Sequence, residues 1–226
     1  MLLKLLCWHP GMQRELFGTD GIRGKANSYP LTPEMMVAIA RSFSEWLKSE
    51  TSTSQVVIGM DTRESSQMLA DALASGLLSM GMDVNLLGVV PTPAVSFISE
   101  EKSCAGLMIT ASHNPASDNG VKFFYKGLKL TDRQESGIES FFGTDMPAPD
   151  RVGKKSPSDA ASYVRSLDDL SLDGLRIVLD CANGAAYRIA PELFRGSGAK
   201  IIVVNDSPDG TNINDGCGAL HPEKVS

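Results

Sequence analysis

The sequence lacks closely spaced cysteines, long hydrophobic runs and an excess of basic residues, and each absence excludes a class of protein. Its four cysteines, Cys7, Cys104, Cys181 and Cys217, form no C-x-x-C pair, so neither a cysteine-bound metal nor a dithiol redox site is predicted. We interpret them as reduced thiols of a cytoplasmic protein. Basic residues number 21 against 27 acidic ones, which argues against nucleic-acid binding but leaves room for a local basic pocket.

No apolar run approaches the roughly 20 residues that a membrane-spanning helix needs, so we expect no membrane partner. The N-terminal segment, residues 1–11, starts with a short apolar stretch that Lys4 interrupts and that no small-residue cleavage site follows. A signal peptide is therefore not predicted. We expect residues 1–11 to be an unstructured extension before a start at Met12.

Strand and helix patterns alternate along the first part of the chain. Thr32 precedes Pro33 and an amphipathic pattern, which is typical of a capped helix start. The alternation predicts an α/β fold with a mixed, mostly parallel sheet flanked by helices. Strands are expected over 55–60, 84–90, 104–110 and 121–125, and helices over 69–80, 93–99 and 132–142.

Residues 144–158 are rich in proline, glycine and lysine and indicate a linker. We therefore predict a first domain over 12–155 and a second over 156–226. The second contains one βαβ pattern, with strands over 175–180 and 200–204 and a helix over 187–196. A single βαβ unit leaves much of its apolar face uncovered, so this domain is predicted to be incomplete.

The segment with the strongest chemical signal is Thr110-Ala-Ser-His-Asn-Pro115, which follows a predicted strand. In doubly wound sheets, ligands bind beyond the carboxyl ends of the strands. Ser112, with His113 beside it and Lys122 farther on, suits acyl or phosphoryl transfer. The residues Asp118-Asn-Gly120 are expected to form a tight turn before Lys122 starts the next strand. A polar loop without catalytic function explains the same residues.

Three further segments carry weaker signals. Phe17-Gly-Thr-Asp-Gly-Ile-Arg-Gly24 combines flexible glycines with Arg23, whose planar guanidinium matches phosphate oxygens; a glycine turn with a solvated arginine is the structural alternative. Asp61 and Arg63 are expected to pair locally and fix a loop. Cys181-Ala-Asn-Gly184 is expected to be a plain turn between a strand and a helix, with a phosphate cradle as the other interpretation.

Taken in order, these segments resemble the α-D-phosphohexomutase superfamily. The resemblance runs from Leu16 to about Glu223. It rests on six segments: Phe17–Gly24, Gly59–Arg63, Thr110–Pro115, Asp118–Phe124, Asp180–Gly184, and Asn212–Asn214 with Cys217-Gly218 and His221–Glu223. The form of the first and fourth segments is most similar to the branch that acts on glucosamine phosphates, whereas the mannose and glucose phosphate branch remains the alternative.

The resemblance implies a reaction and roles for residues. Ser112 would carry the phosphoryl group and, through its phosphate, ligate Mg²⁺. Lys122 and Arg23 would act on the phosphoryl group, Lys122 as base or electrostatic partner, while His113 and Asn114 would shape the loop. Thr19, Arg23, Asn114 and Lys122 would bind phosphate, and Ser112, Lys122, Arg23 and His113 form the expected catalytic set.

The implied activity interconverts glucosamine 6-phosphate and glucosamine 1-phosphate through a 1,6-bisphosphate, and it feeds UDP-N-acetylglucosamine and cell-wall precursor synthesis. Glucosamine 1,6-bisphosphate or glucose 1,6-bisphosphate would be the activator, a phosphorylated hexosamine the substrate, and a homodimer is open for the full-length form. The resemblance also implies an Asp-x-Asp-x-Asp-Arg metal loop, which residues 1–226 do not contain. We therefore expect the chain alone to be inactive.

Two other functions stay open. The chain could be a phosphosugar-binding module that kept the serine loop without catalysis. A serine hydrolase built on Ser112 is disfavoured, because the sequence has no Gly-x-Ser-x-Gly elbow. Asp168-Asp169 is the nearest acidic pair to a metal motif, and we interpret it as a solvated surface pair.

Overall fold

The computed structural model describes residues 16–147, 149–167 and 171–225. Fifteen α-helices and β-strands lie in these ranges. In chain order they are β1 (Ile22–Lys25), α1 (Pro33–Glu50), β2 (Gln55–Met60), α2 (Glu64–Ser79), β3 (Asp83–Val89), α3 (Thr92–Glu101), β4 (Ala105–Ile109), β5 (Asp118–Tyr125), β6 (Leu128–Lys129), α4 (Asp132–Ser140), β7 (Lys155–Pro157), α5 (Ala161–Arg165), β8 (Arg176–Asp180), α6 (Ile189–Gly196) and β9 (Lys200–Val204). The predicted extension over residues 1–11 lies outside the described residues.

The main sheet has the strand order β1-β5-β4-β2-β3-β7, with β6 paired to β5. Strands β4, β2, β3 and β7 are parallel to one another, whereas β5 is antiparallel to its neighbours β4, β1 and β6. This confirms the predicted mixed α/β sheet. Two parallel strands that follow each other in the chain need a crossover connection, which is usually a helix. The alternation of strands and helices in the sequence supplies these connections.

Both faces of the sheet are covered by helices. Along β2, the side chains of Val56 and Ile58 belong to the core that α1 and α2 complete, while Val57 belongs to the core on the α3 side. Successive strand residues point to opposite faces, so a continuous β-branched run is what a strand buried on both faces needs. The helix α1 starts as predicted, with the Thr32 hydroxyl accepting a hydrogen bond from the Met35 amide at 3.3 Å.

The first sheet extends to the boundary that we predicted between the domains. Strand β7 spans residues 155–157 and pairs with β3, with Ser156 opposite Asn85. Residues beyond 155 also reach the first core, since Ala160 and Tyr163 pack in the cluster on the α3 side. The segment that was predicted to be a linker therefore contains an edge strand of the first sheet. The division of the chain into two domains stays a prediction.

The second unit is the βαβ unit that the sequence predicts. Strands β8 and β9 are parallel and form a two-stranded sheet. Val178 and Ile202 on these strands are 46% and 65% exposed, so part of the apolar sheet surface is uncovered in the described residues. None of the helices in residues 16–147, 149–167 and 171–225 combines the length and hydrophobicity that crossing a bilayer requires.

Gly120 lies where β1, β5 and β4 run side by side. A Cβ atom added there would lie 2.8 Å from the carbonyl oxygens of both Ile22 and Thr110. Because both obstacles are backbone atoms, we expect Gly120→Ala to lower the free energy of unfolding by about 1–3 kcal/mol, measured by urea denaturation. Gly196→Ala is the control, since an added Cβ there meets nothing within 4 Å. Equal stability of the two variants would contradict this packing argument.

Candidate functional site

Ser112 lies in an exposed loop two residues beyond Thr110, at the carboxyl end of β4. Its φ is +57°, in the left-handed region. The Ser112 amide donates to the Thr110 hydroxyl at 3.0 Å, and the Asn114 amide donates to the Ala111 carbonyl at 3.2 Å. These local bonds hold a tight turn and leave the serine side chain accessible from solvent. The loop thus has the place and the exposure that a nucleophile or phosphate carrier needs.

The expected turn at Asp118-Asn-Gly120 is wrong, because these residues form the first part of β5 and pair with β1. The physical reason is the buried Asn119 side chain. Its amide nitrogen donates to the hydroxyls of Ser65 and Ser66 at 2.9 and 3.1 Å, and its oxygen accepts from the Gly120 amide. Long-range hydrogen bonds thus replace the local turn that the residue types favour. Lys122 consequently lies in the middle of β5 and does not begin the strand.

Strand pairing brings Arg23 and Lys122 to the same end of the sheet as the serine loop. Arg23 on β1 is opposite Gly120 on β5, and the Thr110 amide donates to the Gly120 carbonyl at 2.9 Å. Lys122 is opposite Met108 on β4. Residues separated by two along a strand share a face. Lys122 therefore lies on the same face of the sheet as Gly120 and its cross-strand partner Arg23. The sequence motifs that lie far apart are therefore neighbours across three strands.

Asp20 is the residue that organises these cations, and the sequence analysis did not select it. Its Oδ2 lies 2.6 Å from Arg23 Nη2 and 2.8 Å from Lys122 Nζ, and its Oδ1 lies 3.4 Å from Lys129 Nζ. Lys129 also donates to the Thr19 carbonyl. The sequence does contain one sign of this pairing, because Asp20 and Arg23 lie three residues apart within a glycine-rich segment. Three cations around one carboxylate leave a net positive charge at this end of the sheet.

The cations around Asp20 lower the pKa of its carboxyl group. Burial acts to raise the pKa, but the hydrogen bond and charge of Lys122, the hydrogen bond of Arg23 and the charge of Lys129 outweigh it and lower the pKa to about 2. A folded-state pKa below the ordinary value of 3.8 means that Asp20 stabilises the fold above about pH 4. That contribution is lost as the pH falls toward 2.

We therefore expect Asp20→Asn to flatten the acid dependence of stability. The wild-type melting temperature should fall between pH 4 and pH 2 by more than that of Asp20→Asn, because the variant has no carboxylate to protonate. Thermal unfolding at intervals from pH 5 to pH 2 measures the difference. Asp145→Asn, at an exposed position, is the matched control and should follow the wild type. Parallel curves for wild type and Asp20→Asn would rule out the stabilising role.

The expected site residues line two separate clefts. Thr19, Asp20 and Arg23 line an open cleft of about 490 Å³. Phosphate binding by Thr19 and Arg23 stays a prediction. His113, an exposed residue, lines a second cleft of about 380 Å³ with residues of the second unit. Asn114 donates from its side chain to Asp118 at 2.9 Å, so it braces the loop. Thr19 and Arg23 thus line a different cleft from His113.

The predicted pair of Asp61 and Arg63 is confirmed, and Arg63 does more than we expected. Its guanidinium forms an ion pair with Asp61 in which both side chains are buried. Its Nη2 also donates to the carbonyls of Ser112 and Asn114, at 3.2 and 2.7 Å. The segment Cys181–Gly184 is a tight turn, as expected, with a hydrogen bond from the Gly184 amide to the Cys181 carbonyl.

The comparisons with known proteins agree with this architecture. Residues 14–148 match the model of phosphoglucomutase/phosphomannomutase, alpha/beta/alpha domain I. The chain belongs to the phosphoglucomutase/phosphomannomutase family. A crystal structure of a family protein from Burkholderia thailandensis superimposes with a TM-score of 0.79 at 29% identity, over 93% of this chain and 48% of that one. The resemblance found in the sequence is thereby confirmed for this phosphohexomutase chain.

Curated phosphohexomutases named phosphoglucosamine mutase match along almost the whole chain. The protein of Anaeromyxobacter sp. (strain Fw109-5) is 46% identical over 96% of this chain and 50% of its own length. That of Geotalea daltonii is 47% identical over 94% of this chain and 50% of its own length. The chain therefore spans about half the length of the curated relatives it matches.

Magnesium is the cofactor that the resemblance implies, and the described residues do not fit it by themselves. Within residues 16–147, 149–167 and 171–225, no group of three or more His, Cys, Asp or Glu side chains is arranged to hold a metal ion. The acidic pair Asp168-Asp169 lies outside the described residues. The ligand we expect from this chain is a phosphate oxygen on Ser112, which alone does not make the oxygen-rich shell that Mg²⁺ prefers.

Proposed function

We propose that this chain supplies the phosphoserine half of a phosphoglucosamine mutase. In the complete enzyme it would interconvert glucosamine 6-phosphate and glucosamine 1-phosphate through glucosamine 1,6-bisphosphate. The observation that carries the proposal is the 46% identity with a curated phosphoglucosamine mutase over 96% of the chain. The exposed Ser112 loop, with the Arg23 and Lys122 cations at the same end of the sheet, supports the same chemistry.

In the proposed reaction, these residues act as follows. Ser112, phosphorylated at rest, gives its phosphoryl group to a sugar hydroxyl: the bond from Oγ to phosphorus breaks and a bond from the sugar oxygen to phosphorus forms. We assign the hydroxyl proton to the imidazole of His113, the next residue in the chain, which passes a proton to the departing Ser112 Oγ so that the serine ends as a neutral hydroxyl. The Ser112 Oγ then accepts the other phosphoryl group of the bisphosphate. No net oxidation occurs, and the phosphate count on enzyme and sugar is conserved.

Lys122 and Arg23 would neutralise charge in this transfer. Phosphoryl transfer depends mainly on positioning and on charge stabilisation, because the transferred group keeps its negative oxygens throughout. Lys122 is paired with Asp20 at 2.8 Å, and an ammonium group has no lone pair with which to accept a proton. This favours the electrostatic role of Lys122 over the role of base. Mg²⁺, as the resemblance implies, would add charge stabilisation once ligands from outside the described residues are present.

Mass mapping of phosphoserine tests the proposal. The chain, fused to the remaining half of the Anaeromyxobacter sp. relative, is incubated with Mg²⁺ and glucosamine 1,6-bisphosphate. We expect one phosphoryl group, mapped to Ser112, and its loss in Ser112→Ala. Ser117→Ala, in the same loop, is the control and should keep the label. Phosphate on Ser117 with Ser112 unmodified would overturn the assignment.

Turnover of the same fusion separates the sugars. We expect interconversion of the glucosamine phosphates to be faster than that of mannose or glucose phosphates. Faster turnover of mannose or glucose phosphates would favour the other branch of the family. Stable labelling of Ser112 without turnover of any sugar phosphate would favour a phosphosugar-binding module.

A further inference from the structure

The serine loop has a conformation that needs support from outside it. Ser112 has φ +57°, a region that costs free energy for residues other than glycine. Such a conformation persists where the surrounding structure fixes it by several contacts. The two local bonds, from the amides of Ser112 and Asn114, hold the turn from within. The external contacts converge on the carbonyl groups of the same two residues.

Two side-chain nitrogens bind both carbonyls. Arg63 Nη2 donates to the Ser112 and Asn114 oxygens at 3.2 and 2.7 Å. Asn214 Nδ2 donates to the same oxygens at 2.9 and 3.0 Å. These four hydrogen bonds, which we call the carbonyl clamp, tie Ser112 and Asn114 to two distant parts of the chain. The clamp fixes the backbone on both sides of His113.

The two donors belong to different units. Arg63 precedes helix α2 of the first unit and is itself held by the buried Asp61. Asn214 follows β9, and its amide donates to the Ala182 carbonyl at 3.0 Å, in the turn after β8. That turn is attached to the first unit, because the Thr62 hydroxyl donates to the Asn183 carbonyl at 2.5 Å. The carbonyl clamp therefore joins the serine loop to the second unit.

We propose that Asn214 is a positioning residue for Ser112, so that the second unit helps to set the geometry of phosphoryl transfer. The inference that the clamp orders the loop stands on geometry alone, while its catalytic consequence rests on the proposed function. Fixing the Ser112 carbonyl restricts rotation of the backbone that carries Cα and Cβ, and so restricts where Oγ lies. In-line transfer is sensitive to such placement, since a misplacement of about 1 Å can cost roughly 100-fold in rate.

Amide hydrogen exchange of the 226-residue chain tests the ordering. Asn214 has φ +60°, so Asn214→Gly removes the side chain without straining the backbone. We expect exchange at the Ser112 and Asn114 amides to become about fivefold faster, in keeping with the loss of ordinary hydrogen bonds. Thr211→Ala is the matched control, because the Thr211 hydroxyl donates to Asp209 within the same segment. In this variant, amide exchange in the serine loop should equal that of the wild type.

The outcomes separate positioning from general stabilisation. Faster exchange confined to the serine loop in Asn214→Gly supports the proposal. Unchanged loop exchange overturns it, and so does faster exchange spread through β8 and β9, because Asn214 would then merely stabilise its own unit.

Phosphoryl uptake in the fusion gives the catalytic readout. We expect Asn214→Gly to lower the maximal rate of Ser112 labelling by about tenfold or more, with the half-saturating concentration of glucosamine 1,6-bisphosphate unchanged. An unchanged maximal rate would overturn the positioning role. If the wild-type fusion takes up no phosphoryl group, the proposed function fails, while the exchange comparison still decides whether Asn214 orders the loop.

Discussion

Replacing Lys122 with alanine should slow phosphoryl transfer at Ser112 by roughly 10²–10³-fold, the loss that is typical when one stabilising donor of a transition state is removed. The Lys122 side chain is only 16% exposed, so its charge is partly buried and is screened only weakly by water. Alanine removes this charge, and the remaining cations of the cluster cannot occupy its place on β5. The fold should survive, because Asp20 still pairs with Arg23 and Lys129 in the variant.

The rate of Ser112 labelling in the fusion with the Anaeromyxobacter sp. half measures this loss. Arg23→Ala is expected to give a loss of similar size, and Arg23→Lys should recover part of it if charge matters more than the planar fork. Lys48→Ala, at an exposed site on α1 paired with Glu45, is the control and should label at the wild-type rate. A Lys122→Ala variant that labels as fast as Lys48→Ala would show that Lys122 has no catalytic role.

The elements of the first unit could be predicted where local signals and tertiary packing agree. Strand β2 has the predicted bounds, 55–60, because a short β-branched run can be buried on both faces. Helix α1 starts after Thr32 because the hydroxyl cap and Pro33 are both local features. In such places, neighbouring residues in the sequence already contain the information that fixes the structure.

The errors and omissions occur where distant residues decide. Asp118-Asn-Gly120 has the composition of a turn, yet the buried side chain of Asn119 binds Ser65 and Ser66 and keeps the segment in β5. Sequence spacing selected Ser112, Arg23 and Lys122 but could not show that Asp20 joins the two cations. It likewise gave no sign that Asn214, 102 residues after Ser112, binds its carbonyl.

The largest effect on stability is expected at Arg63. The side chains of Arg63 and Asp61 are 0% and 2% exposed, so their charges have almost no access to water. Removing one partner of a buried ion pair leaves the other charge uncompensated, which typically costs about 3–5 kcal/mol. Arg63→Ala should therefore lower the free energy of unfolding by about that amount, as measured by urea denaturation of the 226-residue chain.

The exposed ion pair between Arg151 and Asp83 is the matched control. Arg151 Nη2 lies 2.5 Å from Asp83 Oδ1, but the Arg151 side chain is 51% exposed, and exposed pairs contribute at most about 1 kcal/mol. Arg151→Ala should accordingly cost far less than Arg63→Ala.

The double variant Asp61→Asn with Arg63→Ala should be more stable than Arg63→Ala alone, because it removes the unpaired carboxylate. The side-chain amide oxygen introduced by Asp61→Asn can still accept the Ser66 hydroxyl, which now donates to Asp61 at 2.8 Å. If Arg63→Ala were no more destabilising than Arg151→Ala, burial of this ion pair would not govern its contribution to stability.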